Sequence, residues 1–191
     1  MLLALMLPAL WIAWAVSWFA ASGWASAPSR VESGRSALPY RFYLAVGAIL
    51  LILPNRFDWA PRLWHPTAWE SWTIDLLALA GFVFCWWARL HLGRLWSSAV
   101  TIKPEHRIVD SGPYGLVRHP IYTGLLLAVF ASVLANGTWL GMVGGLIMLA
   151  GFLSKARLEE TALREALGRE AYDDYASRVP MLVPLLPHLP G

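Results

Sequence analysis

The sequence predicts an all-α, polytopic integral membrane protein. It has about five transmembrane helices, the last two a helical hairpin, and a C-terminal amphipathic helix on the cytoplasmic side. Three observations carry this reading. Apolar residues make up 58% of the 191-residue chain and charged residues 14%, against roughly 45–50% and 25% in soluble domains. The apolar excess is gathered into long uncharged runs separated by short polar stretches. The basic residues fall almost entirely on one side of the topology those runs define. The length fits a single membrane domain, 1–191.

The first run, Leu2 to about Trp24, is longer than the roughly 7–15 residues of a signal-peptide core and lacks a charged leader, so it reads as a retained helix. Trp11, Trp14 and Trp18 recur on one face of it. Residues 26–39 form a polar loop. A second span runs from Tyr40 to Leu53 and is closed by Pro54-Asn55. Residues 55–72 carry Trp59, Trp64, Trp69 and Trp72 among prolines, a composition suited to headgroup depth. Thr73 to about Leu92 is the third span, and residues 91–120 are the longest polar stretch inside the chain.

Ile121–Ala135 and Thr138–Leu153 follow, joined by Asn136-Gly137, a tight-turn dipeptide that makes the pair a hairpin, either fully spanning or re-entrant. Gly141, Gly144, Gly145 and Gly151 give its second arm a small-residue face for close packing. From Lys155, the positions Leu158, Ala162, Leu167, Ala171 and Tyr175 read as the apolar face of an amphipathic helix ending before Pro180. With five spans, all but Arg56 and Arg62 of the fifteen Lys and Arg residues lie on one side. The positive-inside rule then puts the third loop and the C-terminal tail together in the cytoplasm, and the compactness of the chain suggests a bacterial-type inner membrane.

The net charge of +3 sits beside apolar segments, which fits anionic lipid rather than nucleic acid. Cys85 is the single cysteine and reads as a small core residue. His91, His106 and His119 are too dispersed for metal-ligand spacing, and no metal is expected. Phosphate-loop, dinucleotide and nucleophile-elbow signatures are absent.

What remains is a dense cluster at a membrane boundary, Gly112 to Gly124, facing the charged tail. Ionisable groups at such a depth are costly unless they pair or bind something. Arg118 offers a fork for an anion, Tyr114 and Tyr122 offer ring faces to a cation, and Glu159 offers an acceptor for an amine or a ribose hydroxyl. The set suits a zwitterionic, cation-bearing ligand.

The run His106-Arg107-Ile108-Val109-Asp110-Ser111-Gly112-Pro113-Tyr114, continued by Arg118-His119-Pro120-Ile121-Tyr122-Thr123-Gly124, closely resembles the isoprenylcysteine carboxyl methyltransferase family, with its related phospholipid methyltransferases. Leu92-Gly93-Arg94-Leu95-Trp96-Ser97 resembles it too. So do Glu159-Glu160, Leu167-Gly168, Tyr172-Asp173-Asp174-Tyr175 and Arg178-Val179-Pro180. The resemblance implies a membrane methyltransferase that uses S-adenosyl-L-methionine and modifies a lipophilic acceptor. That acceptor would be an isoprenylcysteine-like carboxylate, a lipid amine or a hydrophobic thiol entering from the bilayer.

The resemblance also implies a division into helices 1–88, which face substrate and lipid, and a catalytic half, 89–184. Cofactor contacts would come from His106, Arg107, Ile108, Val109, Tyr114, His119, Pro120, Ile121, Tyr122 and Glu159. Arg118, His119, Glu159 and Glu160 are the catalytic candidates, with Arg118 and His119 organising the carboxylate end of the cofactor. Lys155 stands where the family has a substrate-contacting arginine, and Arg157 follows two residues later. Both are candidates for substrate binding. Two other readings are a membrane NADPH-dependent reductase of the sterol type and a non-enzymatic module for lipid headgroups. Binding of labelled S-adenosylmethionine separates the first reading from both.

Overall fold

The computed structural model describes residues 3–24, 30–31, 34–57, 60–96, 101–102 and 108–184. Among them six α-helices follow in order: α1 Leu3–Ala20, α2 Gly34–Arg56, α3 Ala68–Leu92, α4 Pro120–Asn136, α5 Trp139–Leu167 and α6 Arg169–Arg178. The extended residues are few. Arg30–Val31 pairs antiparallel with Thr101–Ile102, and a single bridge joins Arg62 to Thr138. The protein is all-α, as expected. Helices α3 and α5 are long and apolar enough to cross a membrane, while Met6–Ala20, Ala37–Leu53 and Pro120–Asn136 are shorter apolar segments.

Several boundaries differ from the sequence reading. Helix α2 begins six residues before Tyr40 and runs past Pro54, because a helix leaving an apolar layer keeps its backbone bonds paired by continuing. Helix α3 starts five residues before Thr73. Thr67 and Glu70 form a reciprocal capping box, with Thr67 N donating to Glu70 Oε2 at 2.7 Å and Glu70 N donating to Thr67 Oγ1 at 3.3 Å. Trp69 and Trp72 therefore stand on the first turns of a helix, exposed.

The largest correction concerns the amphipathic helix expected from Lys155. Residues 155–167 are the uninterrupted continuation of α5. The chain breaks only at Gly168, whose φ of 93° is open to glycine and strained for other residues. Helix α6 is the separate piece, ten residues long. The apolar spacing seen from Leu158 to Tyr175 thus belongs to two helices.

The hairpin turn forms as predicted. Gly137 takes the left-handed conformation at φ 64°, and Thr138 caps α5 by accepting from Gly141 N at 3.1 Å. Leu63 N donates to Gly137 O at 2.6 Å and ties the turn to the segment before α3. The two arms splay onto other partners: α3 packs along α4 and α2 along α5, each far more closely than α4 on α5. Glycines permit these contacts. A Cβ on Gly47 would lie 2.7 Å from Gly144 O, and one on Gly81 would collide with Gly124 O. Ile74, Ala78, Phe82, Ala128 and Ala131 fill the α3–α4 side of the core, with Trp11 and Trp14 of α1 against them. Large apolar side chains such as Ile12, Phe19, Ile52, Leu76, Val83, Phe130 and Leu146 remain exposed around the outside. That is far more apolar surface than a soluble monomer shows, and it suits contact with lipid.

Candidate functional site

The polar groups of the chain converge where α4 begins and α5 leaves its apolar stretch. The approach to α4 is a tight turn, Gly112–Gly115, preceded by Ser111, whose carbonyl accepts from Tyr114 N at 3.1 Å. Gly112, at φ 57°, lies directly against the ring of His91. Val117 and Pro113 are fully buried behind the turn. Arg118 N then donates to Pro180 O at 2.8 Å and His119 N to Met181 O at 3.1 Å. The stretch after α6 is thereby laced along the entry to α4. Thr123 Oγ1 extends the lacing with a 2.6 Å bond to Leu182 O.

His119 and Tyr122 are one turn apart, and their rings lie 5.4 Å apart at an interplanar angle of 6°. Glu159 and Glu160, adjacent on α5, meet this pair from the other side. Glu160 is 2% exposed. It accepts from Arg118 Nε at 2.7 Å, pairs with His119 Nε2 at 3.1 Å and lies 3.7 Å from Arg164 Nη1. Glu159 accepts from the Tyr122 hydroxyl at 2.5 Å. It also lies 3.6 Å from His119 Nδ1 and 3.9 Å from Lys155 Nζ.

His119 thus has a carboxylate against each ring nitrogen. A neutral imidazole donates through one nitrogen only, so both contacts are favourable together in the imidazolium form. Burial alone would drive the proton off. The Glu159 and Glu160 carboxylates outweigh it and hold the group protonated to higher pH than an ordinary imidazole.

Arg118 is committed to the protein. Besides Nε on Glu160, its Nη1 donates to Ala176 O at 2.9 Å and Val179 O at 2.6 Å. The guanidinium fork expected to face an anion instead fastens the end of α6 to α5. Tyr175 completes this fastening, its hydroxyl donating to Tyr114 O at 2.7 Å. Ring faces also differ from expectation. The cation over Tyr122 is the ammonium of Lys155, 5.2 Å from the ring centroid and 5.6 Å from that of Tyr40.

Other expected residues fall into place around this cluster. Tyr114 is buried beside it, Pro120 opens α4, and Ile121 packs near Phe152 while its carbonyl accepts from Cys85 Sγ at 3.3 Å. Ile108 packs against Tyr172, Tyr175 and Val179, and Val109 is half-buried. Arg157 is exposed and is not brought to the cluster; Lys155 is. His106 and Arg107 lie outside the described residues.

Three contributors went unread in the sequence. Tyr40 reaches in from α2. Phe152, 5.5 Å from Tyr122, precedes Lys155 by three residues on the same helical face. Arg164 stands four residues after Glu160 and holds Asp173 at 2.7 Å. The last two follow helical spacing once α5 is known to continue; Tyr40 carried no signal beyond being aromatic. No group of three or more potential ligands that could hold a metal ion occurs among the described residues.

The sequence that builds this cluster is similar to that of known proteins. Residues 73–165 match the isoprenylcysteine carboxyl methyltransferase (ICMT) family. A probable protein-S-isoprenylcysteine O-methyltransferase of Oryza sativa subsp. japonica is 30% identical over 131 residues, covering 65% of this chain and 68% of that protein. The chain belongs to the ICMT family. It is therefore a methyltransferase, and the reductase and headgroup-module readings fall away. Methanethiol S-methyltransferase of Pseudomonas sp. (strain GM41(2012)) is 32% identical over 128 residues, 66% of this chain and 47% of that protein. The uncharacterized protein YpbQ of Bacillus subtilis (strain 168) is 27% identical over 143 residues, 71% and 79% of the two chains. The family match contains His119, Tyr122, Lys155, Glu159, Glu160 and Arg164, and so takes in all of the cluster except Tyr40 and the α6 contacts.

Proposed function

We propose that the chain is an integral membrane methyltransferase that takes its methyl group from S-adenosylmethionine and passes it to a lipophilic acceptor carrying a carboxylate or thiolate. The carrying observation is the pair of adjacent carboxylates, Glu159 and Glu160, facing His119 and Tyr122 at the end of an apolar helix bundle. In this reading all five long helices cross the bilayer, and the cluster lies on the cytoplasmic side, where the basic residues collect.

The donor set fits the cofactor. S-adenosylmethionine carries a sulfonium, an ammonium and a ribose diol, and supplies an already activated methyl group. Glu159 has lone pairs beyond those used by Tyr122, and its side chain is 20% exposed, so it can accept from a hydroxyl or ammonium. His119, stacked on Tyr122 and bonded to Glu160, holds that carboxylate side of the site in register. Tyr114, Ile108, Val109, Pro120 and Ile121 would line the pocket, and the family resemblance adds His106 and Arg107 to the expected cofactor contacts. Arg118 acts as a positioning residue: it fixes the stretch after α6 and the orientation of Glu160.

Lys155 supports the acceptor class. Its ammonium sits between the rings of Tyr40 and Tyr122, at the inner edge of the cluster and toward the apolar bundle. A compact cation there attracts a single anionic atom and repels an ammonium. A carboxylate or thiolate needs no general base; holding it in line with the methyl carbon, with water excluded, is the main task left to the protein. Tyr40 comes from the 1–88 portion, which supports a share for the early helices in selecting the acceptor.

The test is transfer of labelled methyl from S-adenosylmethionine into a total lipid extract and into a panel of prenylated acids, thiols and amines. Incorporation into acids or thiols is the expected result. Labelling of amines alone would overturn the acceptor class. No incorporation by folded, cofactor-binding protein would overturn the acceptor's lipophilic nature.

A further inference from the structure

At the end of α3, against the end of α1 and the turn that follows α3, lies a buried charge that the carboxylate cluster does not touch. Arg89 is 2% exposed. Its guanidinium lies 3.6 Å from the ring centroid of Trp96, 4.3 Å from that of Trp18 and 5.7 Å from that of Trp86. Nη2 donates to Ala21 O at 2.6 Å, whereas Nη1 is buried with no hydrogen-bond partner. Nε1 of Trp14, which stacks on Trp18 at 5.0 Å, is likewise buried and unpartnered. No carboxylate among the described residues pairs with Arg89.

An arginine cannot shed its charge, and an unmet donor in a buried site costs free energy. Indole faces attract the cation but supply no lone pair along an N–H direction. A purely structural lock between α1 and α3 would end with Nη1 bonded, as Arg118 does at the other site. The depth of Arg89 is fixed by the bond from Cys85 to Ile121 O: residue 85 is level with the first turn of α4, and Arg89 lies one turn beyond it. That is the boundary of the apolar layer, where lipid headgroups sit. Outward-facing Phe19, Trp87 and Leu90 are exposed beside it, as acyl-chain contacts would require.

We propose that the Arg89–tryptophan cage is a binding site for the phosphate of an anionic membrane lipid. A phosphate oxygen supplies the acceptor that Nη1 lacks, in a charge-assisted bond made stronger by the dry surroundings, and its chains lie along the outer face of α1 and α3. The site is separate from the methyl-transfer cluster and is read without any activity assay.

Native mass spectrometry of the full chain, released from micelles doped equally with phosphatidylglycerol and phosphatidylcholine, tests it. Wild type should retain phosphatidylglycerol about tenfold over phosphatidylcholine, the scale of one charge-assisted hydrogen bond. Arg89→Gln should bring the two lipids to parity, while Arg62→Gln, an exposed position, should behave as wild type. Equal retention of both lipids by wild type overturns the proposal, and that arm needs no variant to fold. Full preference surviving in Arg89→Gln also overturns it. Displacement of the retained lipid by excess inorganic phosphate would assign the cage to free phosphate and overturn the lipid assignment.

Discussion

Tyr122 lies parallel to His119, 5.4 Å away, and its hydroxyl donates a hydrogen bond to Glu159 while His119 faces Glu159 and Glu160 together. This stack turns two neighbouring carboxylates on α5 into a shaped receptor. It also ties the protonation of one buried histidine to the integrity of the site.

The pH dependence of stability follows from His119. Because the folded state binds its proton more firmly than the unfolded chain, the contribution is fully present below the unfolded imidazole value of about 6.5. It is lost as pH rises through the higher folded value. The difference in Tm between wild type and His119→Gln should therefore be larger at about pH 6 than at about pH 9. A difference that grows with pH would show the histidine to be held neutral.

Glu160→Gln should destabilise the fold by roughly 3 kcal/mol, because it strips the counter-charge from Arg118 and His119 in a buried setting. Thermal unfolding in detergent measures this. The exposed Glu165→Gln is the control, expected within about 0.5 kcal/mol of wild type. Equal stability of the two variants would show that the Arg118 contacts to Ala176 and Val179 carry the junction without Glu160.

Much of the fold was legible because membrane helices write themselves as apolar runs. The Asn136-Gly137 turn, the glycine face of α5 and the capping pair Thr67/Glu70 are all local signals, the last present in the sequence but unread. The end of α5 was not legible. Charged residues after Ser154 resemble a surface helix by spacing alone, and nothing local marks a helix as continuous until Gly168 breaks it. At the site, residue identities were visible but not their partners. Arg118 could be seen as a fork; the carbonyls of Ala176 and Val179 that occupy it are backbone groups with no sequence signature. Arg89 was unremarkable in sequence, since its cage is assembled from α1, α3 and the turn after α3.

The glycine crossings make a packing prediction. Gly81→Ala places a methyl against the Gly124 carbonyl and should cost about 1–3 kcal/mol. Gly23→Ala, with nothing within 4 Å of the new atom, should be close to neutral. Comparative Tm values of the purified variants decide, and equal values would mean that α3 and α4 can move apart at little cost.

Lys155 carries the acceptor prediction. Lys155→Met keeps the stem between Tyr40 and Tyr122 but removes the charge. It should raise KM for an acidic or thiol acceptor about tenfold or more, the scale of a lost charge-assisted contact, while leaving cofactor affinity within a few-fold. An unchanged KM would move the acceptor's anionic atom elsewhere.

Equilibrium binding of labelled S-adenosylmethionine to wild type and to Glu159→Gln decides whether Glu159 holds the cofactor. Binding should be saturable and competed by S-adenosylhomocysteine, weakened about tenfold or more in Glu159→Gln and unchanged in Glu165→Gln. Folded wild type that binds no S-adenosylmethionine, or Glu159→Gln that binds it as tightly as wild type, would contradict it.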